Sequence, residues 1–226
     1  MNDNLYSAGL FLLRAIPDWA ILARFLDLIS RAWLRKRKFE SLLTAFPFDF
    51  FVDAGANRGE FSVVAAKKIG FSNVLCIEPH PDCAHLLRKN GFDVKEAALW
   101  IEECEKPFML AQESTQSALV NTQAIVPTIL VKCITLDSLG IQSSQVLLKL
   151  DLQGADVDII LHSALFLRQV NGLIFECPLS VDPRLERLDS FLTGEGFIEY
   201  LSLNDREEKG RIVERDRVWI RKTLLV

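Results

Sequence analysis

The stretch Phe50–Lys68, FFVDAGANRGEFSVVAAKK, decides the fold. A continuous apolar run ends in an aspartate, Asp53. Two glycines follow, Gly55 and Gly59, and then a helix-like pattern begins that closes at Gly70. A buried strand feeding a glycine turn and a helix is how an α/β protein opens a nucleotide pocket, because ligands of open α/β sheets bind at the carboxyl ends of the strands. Gly55 stands where the chain leaves the strand and needs unusual φ and close approach.

The loop also says what kind of ligand it suits. A dinucleotide site calls for G-x-G-x-x-G, whose second glycine lets the backbone reach a pyrophosphate. Asn57 occupies that slot here, and Asp53 would sit badly beside a pyrophosphate. The loop therefore favours a ligand with a positive end and no phosphate. Glu78 ends the next strand, NVLCIEP, where an acid can accept hydrogen bonds from ribose hydroxyls. S-adenosylmethionine has a ribose, an adenine, an ammonium and a sulfonium. The glycine loop, Asp53 and Glu78 together fit it, and an NAD-dependent oxidoreductase is disfavoured by Asn57.

Outward from this stretch, strands and helices alternate to the end of the chain. Helices are expected over residues 60–70, 81–91, 155–169 and 183–196. Core strands are expected at FDFFVDAG, NVLCIEP, FDVKEAAL, QVLLKLDL and NGLIFECP, with TILVKCITL as a further strand. Continuous apolar strands between helices mean a mostly parallel sheet covered on both faces. Residues 100–125 have no sustained period and read as an irregular excursion, with at most a short hairpin. The last two strands, GFIEYLSL and RIVERDRVWIRKTLL, are joined by the polar stretch NDREEKG. So short a connection makes them antiparallel. The last strand thus runs against the rest.

Residues 1–45 read as a helical arm ahead of a domain at 46–226. Trp19, Leu22, Leu26, Ile29 and Trp33 step by three and four along one helix face. A helix this apolar must bury most of its surface, against the domain or a second subunit. Followed by the basic run Arg35–Lys38, it is also a candidate for peripheral membrane contact.

Composition narrows the function classes. The chain has 226 residues and a net charge of −4, which gives no electrostatic case for a nucleic-acid partner. Five cysteines lack a C-x-x-C pair, which fits a reducing compartment, so a cytoplasmic location is expected. Charged residues and Pro17 interrupt the N-terminal apolar stretch, so neither a membrane span nor a secretory signal is expected.

Five segments, D-x-G-A-N-x-G, IEPHP, LDSL, LKLDLQGAD and the later IFE, occur in the order and spacing of the FkbM-type S-adenosylmethionine-dependent methyltransferases. The chain resembles that family from about Phe48 to Arg221. The resemblance implies a class I, Rossmann-like methyltransferase fold, with a seven-stranded mostly parallel sheet and an antiparallel last strand. It implies methyl transfer, typically to a hydroxyl of a sugar or secondary metabolite. It also places Asp53, Gly55, Asn57 and Gly59 in the cofactor loop and makes Glu78, with Pro79 after it, the ribose clasp. The chain departs from the family pattern at Asp156, usually glutamate, at Ser163, usually glycine, and at His80, often asparagine.

An alcohol acceptor is a poor nucleophile, so a base within hydrogen-bond reach would help. Asp151 ends the fourth core strand and Glu176 the fifth, on the same sheet edge, and both are candidates. Lys149 shares a strand face with Asp151 and would hold it ionised or merely satisfy it. Ser114 and Ser117, in the excursion, are candidates to reach cofactor or acceptor. Mg²⁺ held by Asp151 and Glu176 is a mechanistic variant, without a clear ligand set. The three histidines are not spaced as a metal site. The alternative from another class is a non-catalytic cofactor-binding or scaffold protein on the same fold.

Overall fold

A computed structural model describes the backbone of residues 18–110, 117–119, 128–178, 183–208 and 211–225, with side chains from Ser30 onward except at 207–208. The helices are α1 (Asp18–Ala45), α2 (Glu60–Ile69), α3 (Pro81–Lys89), α4 (Asp156–Leu161), α5 (Ala164–Leu167) and α6 (Arg184–Gly194). The strands are β1 (Phe50–Ala54), β2 (Val74–Ile77), β3 (Asp93–Lys95), β4 (Ala98–Leu99), β5 (Cys104–Met109), β6 (Ala118–Leu119), β7 (Thr128–Ile134), β8 (Val146–Leu150), β9 (Val170–Pro178), β10 (Phe197–Glu208) and β11 (Arg211–Arg221).

Seven strands form the main sheet in the order β3-β2-β1-β8-β9-β11-β10. Neighbours from β3 to β9 are parallel. β11 is antiparallel to both β9 and β10. The expected reversal of the last strand is present. β1, β2 and β8 are apolar almost throughout because both faces of the sheet are covered. On one face Val52, Leu148, Leu173 and Trp219 pack with residues of α4 and α6. On the other Phe51, Leu147, Ile174 and Val218 pack with α2 and with the end of α1.

The arm therefore divides in two. Phe39, Leu42, Leu43 and Phe46 are buried in the domain core. Phe39 lies 5.4 Å from the Phe51 ring and 4.9 Å from Phe61. Lys38 Nζ donates to the Ser202 carbonyl at 2.8 Å. One turn earlier, Trp33 and Leu34 are exposed. The side chains of Trp19, Leu22, Leu26 and Ile29 lie outside the described residues. Among the described residues no helix is long and apolar enough to cross a membrane.

Four sequence expectations change. The excursion is not irregular throughout: β5 and β6 are antiparallel neighbours and join β4 and β7 in a second sheet ordered β4-β7-β5-β6. The expected single strand at 92–99 is split between the two sheets, because Ala98 leaves to pack with Phe108, Val131 and Cys133 in a small core of its own. The polar stretch after Leu203 is not all loop. β10 continues to Glu208, and there ion pairs across to β11 replace apolar packing, with Arg215 Nε 2.8 Å from Asp205 and Arg206 Nη2 3.4 Å from Glu214. The single helix expected at 155–169 breaks at Ser163, whose hydroxyl donates to the Ile159 carbonyl at 2.7 Å and takes the place of the family's glycine.

Candidate active-site cleft

β1, β2 and β8 end side by side, and their ends define a cleft of about 240 Å³. Gly55, Asn57, Glu78, Pro79, Ser117, Asp151 and Glu176 line it. The structure thus brings together seven of the residues singled out in the sequence. Asp53, Gly59 and Lys149 do not line it. Asp53 and Lys149 are buried beside it, and Gly59 is the residue before α2. Ser114 lies outside the described residues.

The loop from Gly55 to Gly59 is tightly shaped. Gly55, Asn57 and Gly59 all have positive φ, at 71°, 48° and 82°. Asparagine tolerates this conformation better than other non-glycine residues. At Gly55 a Cβ would lie 2.0 Å from the Asp151 carbonyl oxygen, so the approach of β1 to β8 permits no side chain there. The amides of this loop are largely spent on the end of β2 and on the loop itself. Gly55 N–H and Ala56 N–H donate to the Ile77 carbonyl, and Gly59 N–H to Ala56. Asn57 N–H donates to Glu78 Oε2 at 2.7 Å. A pyrophosphate loop must offer such amides to its ligand, and these four are committed.

Glu78 is held from both sides. His80 N–H donates to its Oε1 at 2.8 Å, while Asn57 N–H holds Oε2. Each carboxylate oxygen keeps a lone pair for a further donor. Burial pushes the Glu78 carboxyl above its ordinary range, and the two backbone donors pull against that rise. Opposite Glu78 the wall is apolar, with Ala97, Ala98, Leu99, Phe108 and Leu119 contributed largely by the second sheet.

The floor is a charge cluster around Lys149. Its Nζ lies 3.4 Å from Asp53 Oδ1 and 3.3 Å from Asp151 Oδ2. Ser62 Oγ donates to Asp53 Oδ2 at 2.6 Å. Burial works against the Lys149 charge, but Asp151, Asp53 and Asp216 outweigh it and raise its pKa. Burial likewise pushes Asp151 up, and Lys149 outweighs that, so Asp151 stays below the ordinary carboxylate range. Glu176 behaves oppositely. Burial, then a hydrogen bond with Glu214 and the charge of Asp151, push it up to about 9. Asp156, fully buried and near Asp151, is pushed up to about 7. Of the three carboxyls that line the cleft, Asp151 is thus held toward the carboxylate, while Glu78 and Glu176 are pushed toward the acid.

One cleft residue escaped the sequence reading. Arg35, from the arm, lines the cleft with Asp151 and Glu176. The signal was helical register: Arg35, Phe39, Leu42 and Phe46 step by four, three and four along the buried face of α1. Among the described residues no group of three or more His, Cys, Asp or Glu is arranged to hold a metal ion.

The strand order and the reversed last strand are those of a class I methyltransferase of Rossmann-like architecture. The methyltransferase FkbM domain model matches residues 53–199, more than half of the chain, and the chain belongs to that family. Its fold and family are those of S-adenosylmethionine-dependent methyltransferases. No curated protein matches the chain. Among solved structures, magnesium protoporphyrin IX methyltransferase from Synechocystis PCC 6803 with bound SAM shares 10% identity at a TM-score of 0.49, covering 84% of this chain and 80% of its own. A S-adenosylmethionine-dependent methyltransferase from Clostridium acetobutylicum ATCC 824 shares 9% at 0.48, covering 91% and 99%. The 1,6-didemethyltoxoflavin-N1-methyltransferase of Burkholderia thailandensis, with bound S-adenosylhomocysteine, shares 13% at 0.47, covering 92% and 91%. Likenesses this remote bear on neither the substrate nor the residue roles of this chain.

Proposed function

We propose that the protein is an S-adenosylmethionine-dependent O-methyltransferase acting on a hydroxyl of a glycan or secondary metabolite. One observation carries this reading: Glu78, at the end of β2, and Asp151, at the end of β8, face the same cleft. Glu78 is placed to take ribose hydroxyls, with Gly55, Asn57, Pro79 and Ser117 around it. The committed amides of the loop suit a cofactor without phosphates. When bound, that cofactor supplies an electrophilic methyl whose leaving group departs neutral, so no acid is required.

The chain's own task is to align the acceptor and exclude water. Asp151 accepts a hydrogen bond from the acceptor hydroxyl and takes up its proton as the oxygen–carbon bond forms. Lys149 keeps Asp151 ionised for that role. Glu176, hydrogen-bonded to Glu214, offers its remaining oxygen to a second acceptor hydroxyl.

Calorimetric titration tests the cofactor. S-adenosylhomocysteine should bind and NAD⁺ should not, and Glu78→Gln should weaken binding at least about tenfold, as expected for a lost hydrogen bond to a charged group. Mass spectrometry of a panel of hydroxylated acceptors tests the reaction. Asp151→Asn should lower turnover about 10²-fold or more, the contribution of a positioned base, without changing cofactor affinity. Absence of S-adenosylhomocysteine binding by the wild-type chain would sink the reading.

A further inference from the structure

A second cavity opens beside the cleft, between α1 and α2. It measures about 490 Å³, twice the cleft, and is walled by Ala32, Trp33, Phe61, Val63 and Val64. Among the described residues its rim carries Arg35, Lys36 and Arg58 against a single acid, Glu60. Arg35 lines both cavities and stands between them. That guanidinium stacks 4.9 Å from the Phe61 ring centroid and meets Glu60 at 3.3 Å. Lys149 approaches the same ring, also at 4.9 Å. Trp33 stands 57% exposed at the groove's outer end.

Three features select an occupant. The groove is apolar and large, which a small polyhydroxylated acceptor would not need. Its rim is cationic on a chain whose net charge is −4, so the cations are a local feature and not a reflection of the whole. Its inner end is Arg35, which also lines the cleft with Asp151. We infer that the methyl acceptor is an anionic amphiphile, with its aliphatic chain in this groove, its anionic group against Arg35, Lys36 and Arg58, and its hydroxyl at Asp151. The inference rests on the O-methyltransferase reading of the cleft and specifies the substrate class for it.

Dodecyl phosphate, octyl phosphate and dodecyltrimethylammonium, each below its micelle concentration, provide the test by calorimetry on the full chain. Dodecyl phosphate should bind once per chain. Octyl phosphate should be weaker by about fourfold per missing methylene that the groove buries, and dodecyltrimethylammonium at least about tenfold weaker. Ala32→Trp, which fills the groove from its exposed wall, and Lys36→Glu should each weaken dodecyl phosphate at least about tenfold. S-adenosylhomocysteine binding, measured in parallel, should be unchanged in both variants. Equal binding of anion and cation, or none of either, with S-adenosylhomocysteine binding intact, would overturn the groove assignment and leave the cofactor reading standing. Loss of S-adenosylhomocysteine binding in the wild-type chain would overturn the cofactor reading, and with it the acceptor role. Binding to anionic vesicles without binding of monomeric dodecyl phosphate would replace the inference with a membrane-docking face. A dimer dispersed by Ala32→Trp, again without phosphate binding, would replace it with an interface between copies.

Discussion

Lys149 holds one positive charge among Asp53, Asp151 and Asp216, and the arrangement has an energetic sign. Asp53 is 1% exposed, and its Oδ1 makes no hydrogen bond but lies 3.4 Å from the ammonium. Removing the ammonium strands a buried carboxylate, which typically costs about 3–5 kcal/mol. Lys149→Met should therefore lower the urea-unfolding free energy by about that amount. Adding Asp53→Asn, which keeps an acceptor for Ser62, should restore most of it, because a neutral amide needs no counter-charge. A Lys149→Met chain within about 1 kcal/mol of wild type would show that the pair adds little, the outcome expected of surface ion pairs. Gly55 sets a steric limit at the same place. Gly55→Ala must displace the Asp151 carbonyl and also hold φ at 71°, so it should abolish S-adenosylhomocysteine binding before it unfolds the chain.

At the scale of the element, α1 is half scaffold and half approach to the site. Phe39 is fully buried against Phe51 and Phe61. Phe39→Ala should cost about 3–5 kcal/mol, read as a lower urea midpoint at unchanged slope. A slope change as well would mean that the arm unfolds separately from the sheet. The arm also shows where sequence legibility ended. Most strands of the main sheet were readable because a sheet covered on both faces demands apolar runs, to which the short and largely exposed β3 is the exception, and Glu78 and Asp151 were readable because they interrupt those runs at the carboxyl ends. Of the second sheet only β7 was, as TILVKCITL, since β5 buries only a small core around Phe108 and alternates irregularly. The end of β10 was hidden because its partners are ions across the ladder, so polarity looked like a loop. Arg35 was hidden by its neighbours: RKRK reads as one charged run, although helical register separates Arg35 and Lys38, which return to the domain, from Lys36 and Arg37.

Across the whole molecule, the carboxyls around the cleft couple folding to pH. Asp216 is pushed up to about 6, Asp156 to about 7 and Glu176 to about 9, with burial the leading cause in each. Arg35 and Lys149 restrain Asp216, while Asp151 and Glu214 push it higher. A folded pKa above the unfolded one means that the native state binds the proton more tightly. The stabilisation is then complete below the ordinary carboxylate range and is lost as pH rises through the folded values. Asp151 works in the opposite sense. Its contribution is present above its ordinary value of 3.8 and is lost as pH falls through its lowered one. The raised groups act over a higher window, so the thermal midpoint should decline from pH 6 to pH 9, the span of the three raised values. Glu176→Gln should make that decline shallower throughout and flatten it between about 7 and 9, where of the three only Glu176 still holds its proton in the native state. Calorimetric scans of both chains in buffers of low ionisation enthalpy make the comparison. A midpoint that rises over the same interval, or a Glu176→Gln chain that declines in parallel with wild type, would mean that Glu176 is ionised at neutral pH. Glu176 would then compete with Asp151 for the acceptor proton.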